Sequence, residues 1–208
     1  MNWDQRFIGG FTYGTAPNEF LVGITDKIPK GRILSLAEGE GRNAVYLASL
    51  GYHVTAVDAS AVALRRAVKL AEERNVRISV ELADLAHFHI ATGEWDGILS
   101  CYCHLPSATR IPLHSSIVRG LKRGGAFILE GFSKEQLAYD TGGPKDPDML
   151  LSLDELRLEL DGLDFVHAVQ MERDVREGNG HTGVASVVQI VGIKPGRFSA
   201  STGISPGR

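Results

Sequence analysis

Arg32-Ile33-Leu34-Ser35-Leu36 runs directly into Ala37-Glu38-Gly39-Glu40-Gly41-Arg42-Asn43, and His53-Val54-Thr55-Ala56-Val57-Asp58 follows. An apolar run ends in a glycine-rich turn, the turn opens a helix, and a second apolar run ends in an aspartate twenty residues after Glu38. This is the layout in which a strand–turn–helix unit holds a nucleoside cofactor. The glycines permit a tight backbone, and the carboxylate receives the ribose hydroxyls.

The rest of the chain extends the same alternation. Residues 43–50 have helical spacing, with Gly51 as a stop. His53–Asp58 is a strand by its β-branched content. Residues 61–74 read as a helix, 78–82 and 95–100 as strands, 113–121 as a helix closed by Lys122-Arg123-Gly124-Gly125, and 126–132 as an apolar strand. Strands alternating with helices imply a parallel sheet covered on both faces. The last third differs: a short helix over 153–160 precedes two strand-like runs, 164–174 and 183–193. Glu177-Gly178-Asn179-Gly180 between them suits a hairpin turn. The expected fold is a single-domain α/β, Rossmann-like, seven-stranded, mostly parallel sheet with helices on both faces and a C-terminal antiparallel hairpin. Residues 1–30 form an N-terminal helical cap or lid, 31–195 the cofactor-binding domain, and 196–208 a loose tail.

With 208 residues, 43% hydrophobic and 23% charged, the chain can bury one sizeable core. A net charge of −3 supplies no basic surface for nucleic acid. No apolar run of about 20 residues is present for a membrane span, and Met1-Asn2-Trp3-Asp4, without a basic region and apolar core, carries no expectation of a secretory signal. Cys101 and Cys103, the only cysteines, suit a reducing, cytoplasmic setting.

The dinucleotide fingerprint can be fitted as Gly39-x-Gly41-x-x-Ala44 with Asp58. An NAD-dependent oxidoreductase is therefore one alternative. Three features favour S-adenosylmethionine. Ala83-Asp84-Leu85 ends the third strand with a carboxylate suited to the adenine amino group. Glu38 and Glu40 in the turn would oppose a pyrophosphate at a helix N-terminus but not a sulfonium or an ammonium. The closing antiparallel hairpin is the end of a methyltransferase sheet.

From Trp3 to Pro195 the chain resembles the class I S-adenosylmethionine-dependent methyltransferases, in particular the small tellurite-resistance and thiopurine methyltransferase-like group. The matching residues are Trp3-Asp4-x-Arg6-Phe7, Tyr13-Gly14-x-x-Pro17-Asn18, Leu36 through Ala44, Val54 through Ser60, and Ala83-Asp84-Leu85. The resemblance implies that Glu38, Gly39 and Gly41 pass beneath the methionine and ribose, and that Asp58 accepts from both ribose hydroxyls. Ala59 and Ser60 would lie on the adenine face, and Asp84 and Leu85 on its edge. Cys101 would line the methionine side, Arg42 would lie near the cofactor carboxylate, and Tyr13 would sit over the site. Two positions depart from the group: Ser35 stands where an acid is usual and Ala37 where a glycine is. Glu38 either takes over the methionine ammonium or folds back onto the helix start.

Methyl transfer from a sulfonium is an in-line displacement that needs alignment and exclusion of water, and a base only for a protonated acceptor. Cys101-x-Cys103-His104 lacks a second ligand pair for zinc, His87-x-His89 being the only other cluster, so no metal is expected. His104, after the fourth strand, is a candidate acid/base or acceptor-positioning residue, or else a packing residue. Arg173, Arg176 and His181 flank the hairpin. In the resembled group such residues face an oxyanion; otherwise they are solvated charges paired with Glu172, Asp174 and Glu177. Trp3, Phe7, Phe11 and Tyr13 form an aromatic lid or the apolar face of an N-terminal helix. His53, His114 and His167 are expected to pack or lie on the surface. The catalytic candidates are thus His104, Arg176 and His181. The expected reaction is direct methyl transfer to a small-molecule acceptor, with S-adenosylhomocysteine as product. The acceptor would enter between the N-terminal segment, the loop after the fourth strand and residues 139–148. A non-catalytic S-adenosylmethionine-binding protein is a further alternative. The protein would be a monomer or homodimer.

Overall fold

The computed structural model describes residues 3–178 and 181–196; the side chain of His181 and the tail from residue 197 lie outside the described part. Seven strands form one sheet: β1 (Arg32–Leu36), β2 (His53–Asp58), β3 (Ser79–Leu82), β4 (Trp95–Cys101), β5 (Leu121–Phe132), β6 (Asp164–Glu177) and β7 (His181–Ile193). Their order is β3-β2-β1-β4-β5-β7-β6. The first five run parallel, and β7 is antiparallel to both β5 and β6. The fold is the Rossmann-like arrangement with a closing hairpin that the alternation implied.

Parallel central strands are apolar on both sides because helices cover both faces. In β1, Ile33 packs with Leu21, Leu47 and Leu99, whereas Leu34 and Leu36 face Leu113, Ile117 and Phe127. The helices are α1 (Trp3–Arg6), α2 (Glu19–Ile24), α3 (Arg42–Ser49), α4 (Ala61–Glu73), α5 (Ser107–Gly120) and α6 (Leu153–Glu159). Ser60 caps α4 by accepting from the Ala63 N–H at 3.1 Å. Among the described residues no helix is long and apolar enough to cross a membrane.

Three boundaries differ from the sequence reading. Helix α5 begins at Ser107, six residues before the expected start at 113, and contains Pro112. An interior proline argues against helix locally, but Leu113 and Ile117 bury against the sheet and hold the turns in place. Lys122-Arg123-Gly124-Gly125 belongs to β5 rather than to a helix-closing loop. It forms an irregularity there: Trp95 is level with Leu121, and the next pair is Gly97 with Ala126. The hairpin strands are longer than expected, pairing as far as Glu177 with His181. Of the expected turn, Asn179 and Gly180 lie outside the described residues.

Candidate active site at the ends of the first two strands

The turn after β1 places three residues in the left-handed region: Ala37 (φ 48°), Gly39 (φ 65°) and Gly41 (φ 91°). At Gly41 a glycine is required sterically as well, since a Cβ there would lie 2.6 Å from the Cβ of Ala67 on α4. Ala37 adopts its φ with a side chain, at the position where the resembled group has glycine. The Glu38 N–H donates to the Val57 carbonyl at 3.1 Å, tying the turn to β2. Asp58 ends β2 beside the turn. One oxygen accepts from the Gly39 N–H and the other from the Ser60 N–H, both at 2.8 Å. Burial raises its carboxyl above the ordinary range, and the two N–H donors oppose that rise.

Glu38 folds back onto the helix start. Its Oε1 accepts from the N–H groups of Asn43 (3.0 Å) and Ala44 (2.9 Å), and the Ser35 hydroxyl donates to Oε2. The carboxylate thereby satisfies two free donors at the positive end of α3. Burial raises its pKa, while the Ser35 hydroxyl and the helix N–H groups pull it down. Ser35, standing where the resembled group has an acid, is thus bonded to the acid three residues on.

The N-terminal segment lies across this turn. A Cβ on Gly39 would approach the Phe7 ring at 3.5 Å, and Phe7 is buried. Trp3 stacks on Phe7, and Tyr13 meets it edge-on. Asp4 accepts from the Ser60 hydroxyl (2.6 Å) and the Val62 N–H (3.2 Å) at the start of α4. Arg66 on α4 donates to the carbonyls of Phe7, Ile8 (2.9 Å) and Gly10 (2.9 Å), and pairs with Glu40 at 2.7 Å. The other Glu40 oxygen accepts from the Thr12 N–H at 2.6 Å.

On the far side of the turn sits a buried polar cluster. Arg42 opens α3 and pairs with Glu177, itself 2% exposed. Asn18, fully buried, donates to Glu130 and to Glu177 (2.9 Å). Glu130 also receives Arg173 (2.9 Å) and Gln189 (2.7 Å). Cys101, at the end of β4, is half-buried, and desolvation with the Glu130 charge raises its pKa. Cys103 is pushed up to about 12 by burial. Both thiols are therefore neutral.

The remaining predicted positions are distributed as follows. Ala59 is exposed and Ser60 buried, both beside Asp58. Leu85 is buried, while the Asp84 side chain is exposed, accepting from the Ala86 N–H at 2.9 Å. His104 lies half-buried after β4. Its Nδ1 is 2.9 Å from the Met149 carbonyl, and its Nε2 accepts from the Phe132 N–H at 3.3 Å. Burial lowers its pKa to about 4, so the ring is neutral, and the carbonyl at Nδ1 with the N–H at Nε2 puts its one proton on Nδ1. Arg176 is exposed and pairs with Asp174 at 3.0 Å, so it is not brought into the cluster. The side chain of His181, the third catalytic candidate, lies outside the described residues. The structure thus gathers Glu38, Gly39, Gly41, Asp58 and Ser60 under Phe7 and Tyr13, with Arg42 and Cys101 on the other side.

Sequence reasoning missed Arg66 and the Glu130 cluster. Nothing local marks Arg66, which lies on a polar helix face. Glu130 did leave a signal, because a carboxylate inside Ala126–Phe132 needs a buried partner. Among the described residues there is no group of His, Cys, Asp or Glu able to hold a metal ion.

The donor set suits S-adenosylmethionine. Glu38 already fills the Asn43 and Ala44 N–H groups at the start of α3, so a pyrophosphate would meet a carboxylate there in place of free donors. Similarity to known proteins points the same way. Residues 33–125 match the model of the methyltransferase domain family. No curated protein matches the chain in sequence. One similar solved structure concerns the conversion of a disulfide bond into a thioacetal group during echinomycin biosynthesis; it is 18% identical with a TM-score of 0.75, covering 96% of this chain and 92% of that one. TehB from Haemophilus influenzae is 21% identical with a TM-score of 0.72, covering 92% of this chain and 66% of that one. Phosphoethanolamine N-methyltransferase 2 of Haemonchus contortus, solved with S-adenosylhomocysteine, is 17% identical with a TM-score of 0.66, covering 88% of this chain and 55% of that one. Residues 33–125 thus match the methyltransferase domain family, and the chain has the fold of S-adenosylmethionine-dependent methyltransferases.

Proposed function

We propose that the protein transfers a methyl group from S-adenosylmethionine to a small-molecule acceptor by in-line displacement. The observation that carries this reading is the left-handed glycine turn with Asp58 directly against it, inside the segment that matches the methyltransferase domain. When bound, S-adenosylmethionine supplies a methyl group on a positively charged sulfur. Asp58 has lone pairs beyond the two used by Gly39 and Ser60, and these accept from the ribose hydroxyls. Phe7 and Tyr13 cover the turn and keep water from the reacting atoms. Arg42 orients the methionine carboxylate. A small acceptor is favoured because Tyr13 and Gly14 abut Gly178 of the hairpin turn, which narrows the acceptor side. The net charge of −3 offers nothing to a nucleic-acid acceptor.

His104 acts here through position. With both ring nitrogens bonded to backbone and its pKa near 4, it holds the Met149 turn against β5 near the acceptor. Acceptors already nucleophilic at neutral pH, such as soft anions, fit a site without a free base. Calorimetry with S-adenosylhomocysteine and with NADH tests the cofactor. Binding of the former alone is expected, and tight NADH binding alone ends the reading. Release of S-adenosylhomocysteine with a panel of thiols, tellurite, catechols and amines tests turnover. No release with any acceptor would make the chain a cofactor-binding protein instead.

A further inference from the structure

We propose that Asn18 is a positioning residue of this active site, an inference that rests on the S-adenosylmethionine assignment. Asn18 joins four elements. Its Oδ1 accepts from the Leu21 N–H at 2.9 Å and caps α2, while its own N–H donates to Asn43 Oδ1 on α3 at 2.8 Å. Its Nδ2 donates to Glu130 on β5 and to Glu177 on β6. Glu177 in turn holds Arg42, which also donates to the Ala16 carbonyl at 3.4 Å. The N-terminal segment and the arginine at the methionine end are therefore set by one carboxamide.

The chemistry of that position is narrow. Only a carboxamide can accept from a helix N–H and at the same time donate to two separate carboxylates. The side chains bonded to it are Asn43 on α3, Glu130 on β5 and Glu177 on β6; around these, Glu130 meets Arg173 from β6, Gln189 from β7 and Tyr102 from the loop after β4, Glu177 meets Arg42 from α3, and Arg173 meets Glu19 from α2. Two buried carboxylates at one nitrogen repel each other unless both are hydrogen-bonded and paired. Asn18 supplies the shared donor, which lets Glu177 sit beside Glu130 and keep Arg42 in place. Docking of the N-terminal segment and orientation of Arg42 are then one event.

Asn18→Asp tests this, because the side chain keeps its shape but loses both donated bonds when ionised. S-adenosylhomocysteine would be titrated into wild type, Asn18→Asp, Glu177→Gln and the double variant at pH 8 and pH 6, with thermal melts of each. At pH 8, Asn18→Asp is expected to bind about tenfold more weakly than wild type, the scale of one charged hydrogen bond. At pH 6 the deficit shrinks, because the introduced carboxyl, crowded by two others, takes up a proton and so regains one donor. The double variant, relieved of one like charge, binds better than the single Asn18→Asp variant at pH 8. Wild-type affinity of Asn18→Asp at pH 8, or an equal deficit at both pH values in folded protein, overturns the proposal alone. Failure of wild type to bind overturns the cofactor assignment and this inference with it. If Asn18→Asp does not fold, Glu177→Gln decides: about tenfold weaker binding supports the proposal, and wild-type affinity overturns it.

Discussion

Asp58 and Glu38 are both buried carboxylates within one turn, yet they have different roles. Asp58 uses two lone pairs on backbone N–H groups, which leaves others for the proposed ribose contact. Asp58→Ala is expected to weaken S-adenosylhomocysteine binding about 100-fold, the loss of two hydrogen bonds to a charged acceptor; calorimetry checks it, and unchanged affinity would mean the ribose contact lies elsewhere. Glu38 is committed to the helix start. Glu38→Ala removes a cap for Asn43 and Ala44 and is expected to cost about 1–2 kcal/mol of stability, read by chemical denaturation. The glycine turn and Asp58 were legible because steric need at Gly41 and a strand-end carboxylate leave local traces. The destination of the Glu38 side chain was not, since a helix N-terminus and an ammonium attract it alike.

Among the elements, the Arg66–Glu40 pair is the clamp on the N-terminal segment. One guanidinium gathers the carbonyls of Phe7, Ile8 and Gly10, and Glu40 adds the Thr12 N–H. Arg66→Ala is expected to release this segment. Limited proteolysis should then cut near residues 7–12 about tenfold faster than in wild type, since local opening sets the cleavage rate; equal rates would show that Phe7 packing alone holds it. The elements themselves were read from periodicity, apart from longer hairpin strands and two boundaries that local signals hid. Pro112 concealed the first half of α5, and the glycines of Lys122–Gly125 concealed the start of β5. In both places burial against the sheet outweighs the local preference.

Over the molecule as a whole, a second buried ionic cluster joins α5 to α6. Arg110 binds Glu159 through Nε and Nη2 (2.9 Å), and donates to the Asp148 carbonyl at 2.8 Å; His114 Nδ1 lies 2.7 Å from Glu159. Glu159→Gln leaves Arg110 with a weakened partner and is expected to destabilise by about 3 kcal/mol in a denaturant titration. Acid should act in two stages. Burial depresses His104 from 6.5 to about 4, so the stability it contributes is present above 6.5 and lost as pH falls toward 4. At Glu159 burial pushes upward but is outweighed by His114 and Arg110, which bring it from 4.5 down to about 2; its contribution is lost as pH falls between those values. Denaturation midpoints at intervals from pH 7 to pH 3 check this; His104→Gln should abolish the upper stage only.

Strand period, turn glycines and a strand-end acid are local signals, so the sheet, its hairpin close and the turn that meets Asp58 could be read from the chain alone. Which charges meet was settled only by folding. Glu130, Glu177 and Asn18 are separated by up to 159 residues, and a buried ion pair is specified by the distance between side chains, to which no spacing along the chain corresponds. The same holds for Arg66, whose partners on the N-terminal segment are carbonyls that every residue carries alike.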